Sequence, residues 1–375
     1  MASGWWLVYG YLFSAAGLAA WLLSPPLIRL ALRVGFVDRP GHRKIHDRPR
    51  ALLGGVAVFG AFWGVVGLHW LGGVIVGHAA PEVVPELVRP HLAGMRAVGG
   101  TLGWLGVAST FILATGLRDD RQALSPRAKL AAQLVTAALL YAGGVRISLF
   151  LPWPVAQAAL TLAWLVGVVN AINFFDNMDG LCSGVGAICS FLFGLVAALQ
   201  GQYFIALLAF PLSGALAGFL PFNRHPAQAF LGDAGSLFVG LMLGAIAVLE
   251  TFYQEGSTTA LPVLAPLIIL AMPLHDMLAT IWLRVRLRRP VYEGDTNHIS
   301  HRLVRLGLTH PQAVGLICCL TAALGLGAAV LVWARGPAAW LVLGQTVTVL
   351  TAVFLLQDWA LKIGSGRGGG DVPGG

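Results

Sequence analysis

Charge is scarce in this sequence. Charged residues make up 11% of its 375 positions, whereas a soluble globular chain carries roughly 25%. That shortage excludes a normally hydrated surface over the whole molecule. Cysteine is nearly absent as well. Cys182, Cys189, Cys318 and Cys319 form neither a disulfide framework nor a metal-ligand spacing, and they read as small apolar helix residues. Lysine occurs only at 44, 129 and 362, against 21 arginines. No basic residue precedes the first apolar run, which argues against a cleavable secretory signal and for a permanent span. Internal repeats and basic domains standing clear of the apolar runs are also missing, so nucleic acid is not an expected partner.

Apolar sequence fills the space. Hydrophobic residues make up 57% of the chain, in runs of about 20, the length of a membrane-crossing helix. Continuous rather than alternating runs disfavour a β-barrel, and backbone groups in lipid must be satisfied within each segment. The runs fall at 4–31, 51–77, 97–117, 129–143, 155–172, 183–200, 203–220, 237–253, 261–283, 313–334 and 339–359. The expected fold is an all-α polytopic integral membrane protein with about 10–11 transmembrane helices. Residues 1–363 are expected to form one membrane-embedded domain, and the Gly-rich tail 364–375 to be disordered. With loop 32–50 placed inside, the inside loops and adjoining helix ends hold 20 of the 24 Lys and Arg residues. The positive-inside rule then puts the N-terminus outside and the C-terminus in the cytoplasm. The basic loops would also attract anionic headgroups of the bilayer.

The few acids are not scattered. Asp119 and Asp120 adjoin, Asp176 and Asp179 lie three apart, and Asp233 follows a glycine, all in predicted inside loops that abut a span. Solvated loops would explain one such site. Three favour a shared site for a hard cation such as Mg²⁺, which takes one or two carboxylates plus phosphate oxygens. Gly-Asp-Ala-Gly-Ser at 232–236 could bring backbone N–H groups to an anion at the head of the following helix. Lys44, Lys129, Arg302 and Arg305 accompany the acidic loops and suit phosphate. A metal, acids and cations at a membrane surface point to phosphoryl transfer to or from a lipid. Histidines 42, 46, 225, 275 and 310 read as interfacial or structural. Asp276 lies about eight residues inside its span, roughly 12 Å deep. It reads either as part of a structural polar network or as a neighbour of the site.

Five motifs then appear in order: DRPGHRKIHDRPRALLGG (38–55), DDRQALSPRAKLAAQ (119–133), NAINFFDNMDGL (170–181), FLGDAGS (230–236) and DTNHISHRLVRLG (295–307). Together they resemble the polyprenyl-phosphate N-acetylhexosamine-1-phosphate transferases. That family includes the bacterial enzymes that begin enterobacterial-common-antigen and O-antigen synthesis. Phospho-N-acetylmuramoyl-pentapeptide translocase and the dolichyl-phosphate enzyme of eukaryotes also belong to it. The resemblance implies a multi-pass protein of the inner (plasma) membrane with an active site formed by cytoplasmic loops. It implies Asp233 as a magnesium ligand, with Asn173 and Asp176 beside the metal and Mn²⁺ as a substitute ion. Asp119 and Asp120 match the acidic pair near the lipid phosphate, and Asp179 completes the acidic set. Lys129 matches a phosphate contact, and Phe230 an aromatic that stacks on uracil. Lys44, Asn170, His298, His301 and Arg302 fall on the substrate-binding side. Two positions depart from the family pattern. Ser300 replaces a histidine of the sugar-side loop, and Asn177 stands where many members have glycine.

The implied reaction moves a sugar 1-phosphate from a UDP-N-acetylhexosamine, first of all UDP-N-acetylglucosamine, to undecaprenyl (polyprenyl) phosphate. UMP leaves, in the first membrane step of cell-envelope polysaccharide synthesis. Direct displacement and a covalent aspartyl intermediate both stay open, and a homodimer is a candidate assembly. The rival class is a secondary transporter of nucleotide-sugars or cations. Transporters usually keep their ionisable groups near the bilayer midplane, at broken helices in repeats.

Overall fold

The computed structural model describes residues 2–38, 49–148, 152–252, 260–290, 297–334 and 336–366. The chain divides into two compact units, Met1–Thr251 and Phe252–Gly375. The first holds α1 (Ala2–Val34), α2 (Gly54–Ala79), α3 (Leu92–Ala97), α4 (Gly99–Arg121), α5 (Pro126–Ala142), α6 (Pro154–Phe175), α7 (Leu181–Leu199), α8 (Tyr203–Asn223) and α9 (Gly232–Leu249). The second holds α10 (Ala265–Ile269), α11 (Ala271–Arg286), α12 (Ile299–Arg305), α13 (His310–Leu331) and α14 (Pro337–Gly366).

Every predicted apolar run falls mainly on helix among the described residues. Nine helices among the described residues are long and apolar enough to cross a membrane. The run at 261–283 is not one straight rod: its two parts, Leu261–Ile269 and Ala271–Arg286, meet at 72°. Pro273 has no N–H to donate to Ile269 four residues earlier, so the helical ladder is interrupted where the axis turns. The run at 129–143 becomes α5, which has 17 residues. At about 1.5 Å per residue it is shorter than the roughly 30 Å hydrocarbon core. Helix α14 continues to Gly366, past the start of the predicted tail.

α9 is the axle of the first unit. It is buried from Gly232 to Ala247 except at Asp233, and it packs against α2, α4, α6, α7 and α8. Small residues allow this. A Cβ on Gly55 would collide with the backbone of Gly235, and one on Gly116 with Ala234. In lipid no hydrophobic drive holds helices together, so close backbone approach and dispersion must do it. By contrast α1 turns Trp6, Leu7, Tyr11, Leu18 and Leu22 outward, as a lipid-facing helix should.

A short ribbon stabilises the head of α9. β1 (Val37–Asp38) pairs antiparallel with β2 (Arg50–Ala51). Ala51 bridges Ala229, and Phe230 N donates to Ala51 O at 2.8 Å. Gly55 N donates to Leu231 O at 3.0 Å. The flank of the first motif is thereby stitched to the fourth.

Candidate active site

Four helix ends converge at the start of α9: the C-terminal ends of α4 and α6 and the N-terminal ends of α5 and α9. Ser125 caps α5, accepting from Ala128 N at 3.3 Å, with Pro126 at the first helical position. That cap orients the first turn of α5 and with it Lys129. Its ammonium forms ion pairs with Asp119 and, at 3.0 Å, with Asp233. Asp119 also accepts from Leu124 N at 2.7 Å. One cation thus ties the acidic pair of the second motif to the lone acid of the fourth.

The anion at the head of α9 is a side chain. Asp120 accepts from Asp233 N at 2.8 Å and from Ala234 N at 3.1 Å. These are the backbone donors of Gly-Asp-Ala-Gly-Ser that the sequence offered to a phosphate. In the fold they are taken by a carboxylate from α4, a cap supplied by another helix. Gly232 makes the approach feasible. Its φ of +71° suits glycine, and a Cβ there would lie 2.7 Å from Asp120 Oδ2.

Asn173, in the last turn of α6, donates to Asp233 Oδ1 and to Ser236 Oγ, the latter at 2.9 Å. Ser236 in turn donates to Gly232 O at 3.0 Å. Asn173 therefore presents its amide N–H to Asp233 and fixes that carboxylate. Asp176 closes α6. Burial first, then the carboxylates of Asp233, Asp120 and Asp179, push its pKa up to about 8. Asp179 faces the 224–231 loop, where its Oδ2 meets His225 Nδ1 and Ala227 N, each at 3.0 Å. Asn170 is engaged elsewhere: it exchanges amide hydrogen bonds with Gln133 of α5, at 2.7 and 3.2 Å, and donates to Val166 O. The pair lies one turn from Lys129 on α5 and one turn from Asn173 on α6, so it sets the register in which those two meet Asp233. Phe230 is half-buried just before α9. Lys44 lies outside the described residues.

No group of three or more His, Cys, Asp and Glu among the described residues is arranged to hold a metal ion. Mg²⁺ does not require one, since phosphate oxygens and water complete its shell. The donor chemistry fits a hard divalent cation. Asp233 and Asp176 are carboxylates whose charges oppose each other, a repulsion that such a cation would relieve.

His298, His301 and Arg302 belong to the second unit. Asp276 of α11, only 1% exposed, accepts from His298 Nδ1 and from Ile299 N, both at 2.7 Å. The intramembrane acid is thus joined to the last motif. Arg302 is buried and donates to Gln357 Oε1 at 3.3 Å. Burial first, then His298, Arg305 and His310, lower the pKa of His301 to about 4. At neutral pH its ring is therefore neutral. Ser300 is fully buried in α12, so the position where the family has histidine faces the interior of this unit.

The sequence reading missed Ser236, Gln133 and Gln357 as partners of site residues. The first two sit inside quoted motifs, which was the available signal. Gln357 lies in an apolar run with no motif around it.

Residues 102–251 match the family model described as glycosyl transferase family 4. Over 315 residues the chain is 30% identical to a "Probable undecaprenyl-phosphate N-acetylglucosaminyl 1-phosphate transferase" of Bacillus subtilis strain 168, covering 81% of this chain and 80% of that protein. It is 33% identical over 342 residues to the decaprenyl-phosphate N-acetylglucosaminephosphotransferase of Mycobacterium tuberculosis strain H37Rv, covering 84% and 80%. With the undecaprenyl-phosphate alpha-N-acetylglucosaminyl 1-phosphate transferase of Salmonella typhimurium it shares 28% identity over 310 residues, covering 79% and 76%.

Proposed function

The chain belongs to the polyprenyl-phosphate N-acetylhexosamine-1-phosphate transferases of glycosyl transferase family 4, and from that premise we propose that it transfers N-acetylglucosamine 1-phosphate from UDP-N-acetylglucosamine to undecaprenyl phosphate. The observation that carries this reading is the Lys129 bridge between Asp119 and Asp233 at the head of α9. It places a cation among acids at a helix end, where two phosphates and a divalent ion would meet. A transporter reading has no comparable support: the relatives named above are transferases, and Asp119, Asp120, Asp176 and Asp233 lie at helix ends rather than mid-span.

The chemistry is a displacement at phosphorus. An oxygen of the lipid phosphate bonds to the β-phosphorus of the donor, and the bond from that phosphorus to the bridging oxygen breaks. UMP leaves with that oxygen. The lipid phosphate, whose second pKa is about 6 like that of phosphoserine, is already mostly ionised at neutral pH. Asp119 and Asp120 therefore serve by placement. Asp120 holds the α9 head, and Asp119 holds Lys129. Lys129 offsets charge on the phosphates. Phe230 would stack on uracil, and Lys44, His298, His301 and Arg302 would hold the nucleotide-sugar. Asp233 and Asp176, with Asn173 steadying Asp233, would hold Mg²⁺ or Mn²⁺. Such an ion, when bound, supplies neutralisation of the diphosphate. The clustering of 20 of the 24 basic residues in one set of loops and helix ends supports a cytoplasmic site on the inner membrane. A homodimer would be compatible with this arrangement.

Purified protein in detergent tests the proposal. UMP should appear only when UDP-N-acetylglucosamine, undecaprenyl phosphate and Mg²⁺ are all present. UMP release without the lipid, or none with all three, overturns it.

A further inference from the structure

Asp276 lies outside all five motifs, yet it makes two polar contacts of 2.7 Å. Its carboxylate is almost completely buried, where an uncompensated charge is costly. Both oxygens are used. Oδ1 accepts from Ile299 N at 2.7 Å and Oδ2 meets His298 Nδ1 at 2.7 Å. The first bond caps α12, whose own N-cap residue, His298, makes no side-chain cap. Capping alone requires only one acceptor. The second oxygen does something a cap does not need: a carboxylate only accepts, so His298 must carry its proton on Nδ1. That assigns Nε2, the other ring nitrogen, to whatever chemistry the imidazole performs.

We propose that Asp276 is the positioning residue of the last motif, fixing the ring orientation and tautomer of His298 so that Nε2 is the nitrogen available for the nucleotide-sugar. The inference rests on the proposed transferase reaction for its substrate. It does not rest on that reaction for the Asp276–His298 pair. Asp276 acts through His298 and touches no substrate itself. Partners of this kind, which orient a functional imidazole, typically cost about 10- to 100-fold in activity when altered.

Asp276→Asn separates the two roles. Asparagine keeps an amide oxygen for Ile299 N, so the cap and the fold survive. Toward His298 it offers an N–H donor, which drives the ring to the opposite tautomer. Turnover and the Michaelis constant for UDP-N-acetylglucosamine should be measured in wild type, Asp276→Asn, His298→Ala and the double variant. The expected result is a loss of about 10- to 100-fold for Asp276→Asn, with no further loss when it is added to His298→Ala. If the two losses multiply, Asp276 acts independently of His298 and the proposal is wrong. A second readout needs no activity. In protein with ¹⁵N-labelled histidine, a low-field Nδ1 proton that disappears in His298→Ala should also be lost in Asp276→Asn. Persistence of that proton in Asp276→Asn overturns the proposal. Should the wild type release no UMP, the transferase reading falls, and the ring-proton result alone still decides the Asp276–His298 pair.

Discussion

Asp120 and Asp276 both cap a helix that is not their own, yet they spend their second oxygen differently. Asp120, from the end of α4, gives both oxygens to backbone N–H groups of α9. Asp276, from α11, gives one to the backbone of α12 and one to a histidine ring. In the first case the carboxylate secures a helix head and influences its neighbour Asp233 through geometry and charge. In the second it carries the fixed backbone over to a side chain, the His298 ring. An isolated aspartate in a sequence announces neither role. Only the partner of the second oxygen distinguishes them.

Three substitutions sharpen or break that contrast. The largest effect is expected for Asp233→Asn, which leaves the amide N–H groups capped by Asp120 untouched while removing the charge held by Lys129 and Asn173. Turnover should fall below about a tenth of wild type at saturating Mg²⁺, a barrier increase of more than about 1.4 kcal/mol, with the thermal midpoint little changed. Retained activity would show that the α9 head matters as a scaffold and that its acid is dispensable. Next comes Ser300→His, which restores the family's usual residue. Because Ser300 is fully buried, the imidazole overpacks α12, and stability should drop by about 1–3 kcal/mol. If the midpoint instead holds and only the ranking of UDP-sugars changes, α12 presents this position to substrate and the contrast with α9 weakens. The smallest effect belongs to Asp120→Asn. One amide oxygen replaces two carboxylate acceptors, a loss of about 0.5–2 kcal/mol for a cap. Turnover should decline together with the thermal midpoint, unlike Asp276→Asn, where turnover falls and the midpoint does not. Parallel behaviour of the two variants in denaturation and kinetics would erase the distinction.

Much of this architecture is legible in the residues, and what is not has physical causes. Apolar run length located the long helices, because in lipid a backbone has few other choices. It could not show the 72° turn inside 261–283, since Pro273 is as apolar as its neighbours and acts through a missing donor. Spacing named Asp119, Asp120 and Asp233 as a group, but not which of them meets Lys129 and which meets backbone. Adjacent residues on a helix point about 100° apart, and only the crossing of α4 with α9 decides what each one faces. The charge of His301 depends on burial and on His298, Arg305 and His310, which no linear motif encodes. Asp276 gave a legible warning through its depth in an apolar run, and its partner proved to be the last motif.

The glycine contacts around α9 also bear on how an inhibitor would have to work. A helix wedged against Gly55 and Gly116 with no gap for even one methyl group has little room to shift for a visitor. The carboxylate at its tip is a fixed electrode, set by the frame. A competitive molecule must bring its own charge and shape to that point, and resistance through a yielding α9 would require several simultaneous replacements across three helices.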